Sequence, residues 1–380
     1  MYSTDSAETA ELARLLGYLR EDPDNQRLRA DIFDKALASG LHDEAQRQVD
    51  WVLSRSPVDF GWRHRMAILD MACGRLESAG LLLQSLIDEG QSDPVVAFNR
   101  AYVDFLQGRF PPAAARLREL REQRTSPPQG LSLLLRCMHR VGDLSEAIDL
   151  FDRSQAESPS AEAFGVAALL AIDAGRLPQA EQWASRALAE SPALHEALVA
   201  MGTVALARQD AQRALHFLDE ARRRHPADGR TWSAVGLAQM LRQDLPAARN
   251  ALVQAVEFMP DHIGTWHCLG WCEIFRQDLA AAKAAFDAAV ALDRSFGESH
   301  GGVAAVLALQ GDRQGAEAEL RRARRLNPRS LSAQYAQSVL NGDAADFGRF
   351  RQVAQIAFEA HRGPDGKPLS ALVFGSKTPG

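Results

Sequence analysis

Nine short turns punctuate the chain at a nearly fixed interval, and that interval constrains the fold more than any other feature. Gly40, Gly74, Gly108, Gly142, Gly175, Gln209, Gln243, Gln277 and Gly311 stand 34 residues apart, with one step of 33 between Gly142 and Gly175. Five residues after each comes an alanine: Ala45, Ala79, Ala113, Ala147, Ala180, Ala214, Ala248, Ala282 and Ala316. A period of roughly 20 to 50 residues marks a chain of stacked supersecondary units, none of which can bury its apolar face alone.

The local pattern within each period is helical. Four residues beyond the alanine stand Val49, Leu83, Leu117, Phe151, Ala184, Leu218, Leu252, Phe286 and Leu320, and three further on another small or aliphatic residue follows in most units. Spacings of four and three place them on one helical stripe. The repeated alanine has a steric reason: where two helices of a hairpin cross closely, a larger side chain would hold the backbones apart. Pro57, Pro192, Pro226, Pro260 and Pro328 close units, whereas Pro112, Pro178 and Pro246 open second helices, where the missing N–H costs nothing.

The first helix of each unit carries its own signature, clearest in Trp232, Val235 and Gly236, which return 34 residues later as Trp266, Leu269 and Gly270. Leu198, Met201, Gly202 and Phe164, Ala167, Ala168 fill the same slots upstream. Together these residues resemble the tetratricopeptide repeat (TPR) family over residues 26–330. The resemblance implies an all-α fold: a right-handed TPR-type helical-hairpin solenoid of about nine repeats, closed by terminal capping helices. Residues 8–25 are expected to form the N-terminal cap, residues 331–361 the C-terminal capping helices, with Phe347, Phe350, Val353 and Ala357 on one stripe, and residues 362–380 a flexible tail. Before residue 127, Arg63 and Ala97 occupy the place of the bulky residue, which predicts a shifted register in the early first helices.

Composition narrows the function by exclusion. A net charge of −6, from 49 acidic and 43 basic residues, calls for neither nucleic acid nor an anionic membrane. Four cysteines, Cys73, Cys137, Cys268 and Cys272, make no disulfide framework. The opening residues lack the basic and apolar regions of a signal peptide, and no apolar run reaches the length of a membrane span. A bacterial, cytoplasmic protein is the expectation, with no cofactor and no metal.

The segment His267-Cys268-Leu269-Gly270-Trp271-Cys272 groups an imidazole and two thiols, which raises the thought of a metal or redox sensor. Register argues otherwise, since Cys272 occupies the place of Leu170, Val204, Ala238, Val306 and Cys137, so the thiol reads as a small buried hydrophobe. Gly363 and Gly366 are too close together for a phosphate-binding loop. The arginines at 222–224 and at 321, 322, 324 and 325 close second helices, where cations match the helix dipole. No nucleophile elbow, dinucleotide loop or paired-carboxylate motif is present, so no catalytic activity is expected.

In the TPR family the first helices line a concave groove, and the resemblance assigns Phe98, Asn99, Tyr102, Phe105, Arg136, His139 and Arg140 in the middle, and Leu237, Met240, Leu241, His267, Trp271 and Phe275 toward the C-terminus, to partner binding. The lysine and asparagine set by which some members grip chaperone tails is missing: Ser233, Leu237, Val199 and Thr203 stand there. Of the asparagine ladder of other members only Asn99 fits. The expectation is therefore a protein-interaction scaffold, adaptor or chaperone-like assembly factor holding an extended or helical segment by apolar and aromatic contacts. The alternative is an accessory subunit of an enzyme, secretion or polysaccharide-assembly complex, contacted through its convex face or its tail. Pairing of two copies through an open end, and folding of the tail into the groove, are further expectations.

Overall fold

The computed structural model describes residues 4–90 and 93–342, with side chains from residue 10 onward. The segment 344–361 and the tail 362–380 lie outside the described residues. Among the described residues there are twenty α-helices, one 3-10 turn at Gln155–Glu157 and no strand. The chain divides into two compact units, one up to Glu146 and one from Ala147.

The first unit holds α1 (Thr4–Glu21), α2 (Gln26–Ala38), α3 (His42–Leu53), α4 (Phe60–Ala72), α5 (Leu76–Asp88), α6 (Pro94–Leu106), α7 (Phe110–Glu122) and α8 (Gly130–Val141). Helix α9 (Leu144–Ser154) begins there and ends in the second unit. The second unit continues with α10 (Ala161–Asp173), α11 (Leu177–Glu190), α12 (His195–Ala207), α13 (Ala211–Arg224), α14 (Gly229–Leu241), α15 (Leu245–Phe258), α16 (Ile263–Phe275), α17 (Leu279–Leu292), α18 (Gly297–Leu309), α19 (Arg313–Leu326) and α20 (Leu331–Leu340). Within the units α2/α3, α4/α5, α6/α7, α10/α11, α12/α13, α14/α15, α16/α17 and α18/α19 pack as hairpins.

Each turn of the 34-residue ladder ends a first helix in the same way. The ladder residue has a left-handed φ, from 61° at Gln209 to 95° at Gly142. The next N–H then reaches back to a carbonyl five residues earlier, as in Arg75 to Asp70 at 2.8 Å and Asp244 to Gln239 at 3.0 Å, which satisfies a carbonyl the helix leaves open. In the second unit, aspartates then cap the following helices: Asp210, Asp244, Asp278 and Asp312 each accept the N–H three residues on, at 2.9 to 3.1 Å. The first unit puts Arg75 and Arg109 in that place instead, and their guanidiniums reach the buried carboxylates of Asp70 at 2.7 Å and Asp104 at 2.8 Å.

Packing explains the two small-residue signatures. All nine alanines of the ladder are fully buried, as is the apolar row four residues beyond them, save for slight exposure at Leu117 and Leu320. Across the hairpin the glycines make room for that row. A Cβ added to Gly202 would meet Leu218 at 2.5 Å, one on Gly236 would meet Leu252 at 2.6 Å, and one on Gly270 would meet Phe286 at 2.7 Å. The turns of the early repeats keep register, but the bulky residue does move: Trp62 and Val96, one place before Arg63 and Ala97, are the buried ones. Arg63, displaced toward solvent, binds both carboxylate oxygens of Glu89 at 2.6 and 2.7 Å and the hydroxyl of Ser85.

Candidate binding surface

Within each unit the first helices touch one another in succession, α4 to α6 to α8 and α10 to α12 to α14 to α16 to α18, whereas broad contacts between successive second helices are absent among the described residues. Helices that crowd each other lie on the inner side of a curve, so the first helices form the inner face.

In the first unit that face centres on α6. Val95, Tyr102 and Leu106 expose 47, 38 and 43% of their surface, in a row with the half-buried Phe98 and Phe105. Residues at these spacings share one side of a helix, so the row runs the length of α6. Its flanks are polar. Asn99 Nδ2 lies 2.9 Å from His64 Nε2 of α4, within hydrogen-bond reach, and burial holds the His64 imidazole below its ordinary pKa, which favours the neutral ring. At the turn end, Phe105 meets Phe110 edge to face with centroids 5.6 Å apart, and the exposed Arg140 of α8 stacks its guanidinium 5.1 Å from the same Phe110 ring. Arg136 and His139 are half-buried beside it. Val95 and Leu106 were not singled out in the sequence, although their places, second and thirteenth in the repeat, belong to the same face.

The second unit covers much of its own inner face. Arg230, at the start of α14, reaches past α12 to clasp the Asp173 carboxylate at the end of α10, at 2.7 and 3.1 Å. On α12 itself Val199 is 1% exposed and Ala200 is fully buried. Toward the C-terminus α20 packs on α18 as broadly as the two helices of one hairpin pack on each other. Glu298 of α18 holds the start of α20, accepting the N–H of Leu331 at 3.0 Å and of Ser332 at 3.1 Å. Gly301 lets the backbones meet: a Cβ there would lie 2.7 Å from the Ala333 nitrogen.

From that seat Tyr335 reaches the Trp271 ring, with centroids 5.5 Å apart, and Phe275 packs on the same cluster. Trp271 also meets Phe286 edge to face, and His267 donates or accepts at Ser299 Oγ over 2.8 Å while its ring packs on Phe286 and Phe296. Burial pushes the His267 pKa down to about 4, against a smaller opposing pull from the Glu298 charge. Trp271 and Phe275 are thus half-buried against the cluster that holds Tyr335 of α20, His267 is half-buried against α17 and α18, and of the C-terminal set Leu237 is the exposed member, at 37%, with Met240 and Leu241 half-buried next to it.

The cysteines behave as apolar residues. Cys137 and Cys272 are fully buried, and burial pushes both thiols up to about 11, which favours the neutral thiol over the reactive thiolate. Among the described residues no three His, Cys, Asp or Glu side chains are placed to hold a metal ion. No helix among them is long and apolar enough to cross a membrane.

Paired helices on a 34-residue period, with first helices inside and second helices outside, define a helical-repeat solenoid. A tetratricopeptide repeat profile matches residues 98–162, 140–195 and 199–261, and these stretches are tetratricopeptide repeats. Among solved structures, a monomeric mutant of IFIT1 with m7Gppp-AAAA is similar at a TM-score of 0.57 and 13% identity, over 94% of this chain and 92% of that one. The Cut9–Hcn1 hetero-tetramer of APC/C is similar at a TM-score of 0.51 and 12% identity, over 94% of this chain and 77% of that one. PilF of Pseudomonas aeruginosa aligns at a TM-score of 0.46 and 17% identity, over 56% of this chain and 96% of that one. At these identities the likeness concerns fold alone. No curated protein matches the sequence.

Proposed function

We propose that this protein is a non-enzymatic interaction module of the bacterial cytoplasm, an adaptor or assembly factor that binds a segment of a partner protein on the inner face of its first unit. The observation that carries the reading is the uncovered row Val95, Tyr102 and Leu106 on α6, backed by Phe98 and Phe105 and flanked by Arg140. Aromatic and aliphatic side chains beside an arginine are the types that dominate interface energies. Affinity capture with the double variant Tyr102→Ala, Leu106→Ala tests it: partner recovery should fall while helicity is unchanged. Equal recovery from the folded variant would remove the α6 face as the binding surface.

A second reading, an accessory subunit contacted on its convex side, is favoured by one observation. Leu188, Pro192, Leu198 and Phe217 floor a recess of about 510 Å³ between α11 and α13, rimmed by His216 and Arg223. Phe217→Ser would abolish assembly under this reading and leave capture by the α6 face intact.

A further inference from the structure

Two second helices end in arginines at equivalent places of the repeat, and their surroundings differ. Arg222 and Arg223 on α13 follow Gln209 at the same distance as Arg324 and Arg325 on α19 follow Gly311. On α13 every arginine of the cluster is neutralised nearby: Arg222 pairs with Asp219 at 3.1 Å, Arg224 with Glu220 at 2.8 Å, and Arg223 also with Glu220. On α19 only Arg322 of the cluster has such a partner, Glu319 at 2.6 Å. The side chains of Arg321, Arg324, Arg325 and the following Arg329 are exposed, without an ion pair or hydrogen bond among the described residues.

The helix dipole accounts for a cation in the last turn, but it acts within that turn and is served equally well by arginines that also have carboxylate neighbours, as α13 shows. It gives no reason for Arg321, a turn earlier, or for Arg329, beyond the helix end. Four guanidiniums within nine residues repel one another, a cost that a bound anionic partner would offset. In their midst Leu326 is 45% exposed, and Leu292, its counterpart one repeat earlier, is 39% exposed.

We propose that Arg321, Arg324, Arg325 and Arg329, with Leu326 among them, form a docking surface for a short Asp/Glu-rich segment of a partner protein, one of whose apolar side chains seats on Leu326. The patch is confined to one helix end of a chain with net charge −6. A long polyanion such as nucleic acid would meet that opposing charge along most of its length, whereas a short acidic segment meets only the local patch within a screening length of about 8 to 10 Å. The surface lies on a second helix and is independent of the α6 reading.

The test uses the full chain and a short fluorescently labelled peptide rich in glutamate with one central leucine, followed by anisotropy. Binding should weaken roughly tenfold in Arg321→Gln, Arg325→Gln, should be unchanged in Arg222→Gln, Arg223→Gln, and should weaken between about 50 and 500 mM salt. Leu326→Ser should remove the part of the affinity that survives high salt. Three results overturn the proposal: binding no tighter than that of the same peptide with glutamine for glutamate, equal loss in both arginine pairs, or tighter binding of an oligo-dT strand or of anionic lipid vesicles than of the acidic peptide. Arg223, Arg321, Arg325 and Leu326 are exposed and Arg222 is half-buried beside the Trp232 ring; circular dichroism is expected to show all variants folded.

Discussion

Trp266 donates its indole N–H to the carbonyl of Pro260, six residues earlier, at 2.7 Å, and Trp232 does the same to Pro226 at the same distance one repeat before. The slot is used twice more by other donors: His300 Nε2 lies 3.0 Å from the Arg294 carbonyl, and Arg29 Nη2 lies 2.7 Å from that of Pro23. In these four units the residue in the bulky place is therefore also a donor, tying its first helix to the end of the preceding element. Trp266→Phe keeps most of the packing and removes the donor. Its expected cost is about 0.5–1.5 kcal/mol, measured as faster local amide exchange at the start of α16.

The glutamines at three turns carry a backbone conformation that glycine adopts without strain. Gln243 and Gln277 both have φ of 63°. Gln243→Gly is expected to stabilise the α14/α15 hairpin by about 0.5–1 kcal/mol, and Gly74→Gln to destabilise α4/α5 by a similar amount. Urea midpoints of the two variants, moving in opposite directions, check this.

The seat of α20 depends on a missing side chain. Gly301→Val would drive a branched side chain into the Ala333 nitrogen and the Ser332 side chain, both 2.7 Å from the Cβ position. We expect α20 to detach, with amides of Leu331–Leu340 losing protection and Trp271 gaining access to iodide quenching. Glu298→Gln should loosen the same helix by about 1 kcal/mol without the clash. Unchanged protection of α20 in the valine variant would show that the approach at Gly301 is not what seats it.

His267 should make stability sensitive to mild acid. Its folded pKa of about 4 lies below the ordinary 6.5, because burial disfavours the charged ring. The unfolded chain thus binds the proton first, so the contribution is complete above about pH 6.5 and is lost progressively as pH falls toward 4. Complete loss corresponds to roughly 3 kcal/mol. His267→Gln should flatten this part of the stability–pH curve, which urea unfolding between about pH 7 and 4 would reveal.

The repeat was legible because it is written in residues whose physics is local. A left-handed turn asks for Gly, and a close helix crossing asks for Ala, so Gly74 and Ala79 declare themselves without any neighbour in view. The candidate surface was legible only in part. Phe98, Asn99, Tyr102 and Phe105 were placed on the inner face, but Val95 and Leu106 are recognisable as its exposed ends only once the packing of α6 is known. Trp271 and Phe275 carry the composition of a binding groove and share a cluster with Tyr335. Helix α20 starts 34 residues after α18 and so keeps the repeat register, but register alone does not say that Tyr335 would reach across the intervening repeat to Trp271.

Sequence by itself determined the hairpin, its period, its turns and the burial of its ladder, since each follows from backbone conformation and side-chain volume within one repeat and its neighbour. Tertiary structure decided which stretch of the inner face stays open. That depends on contacts between repeats that are not neighbours in the chain, such as Arg230 with Asp173 and Tyr335 with Trp271, whose geometry is set by the small rotation accumulated from one hairpin to the next.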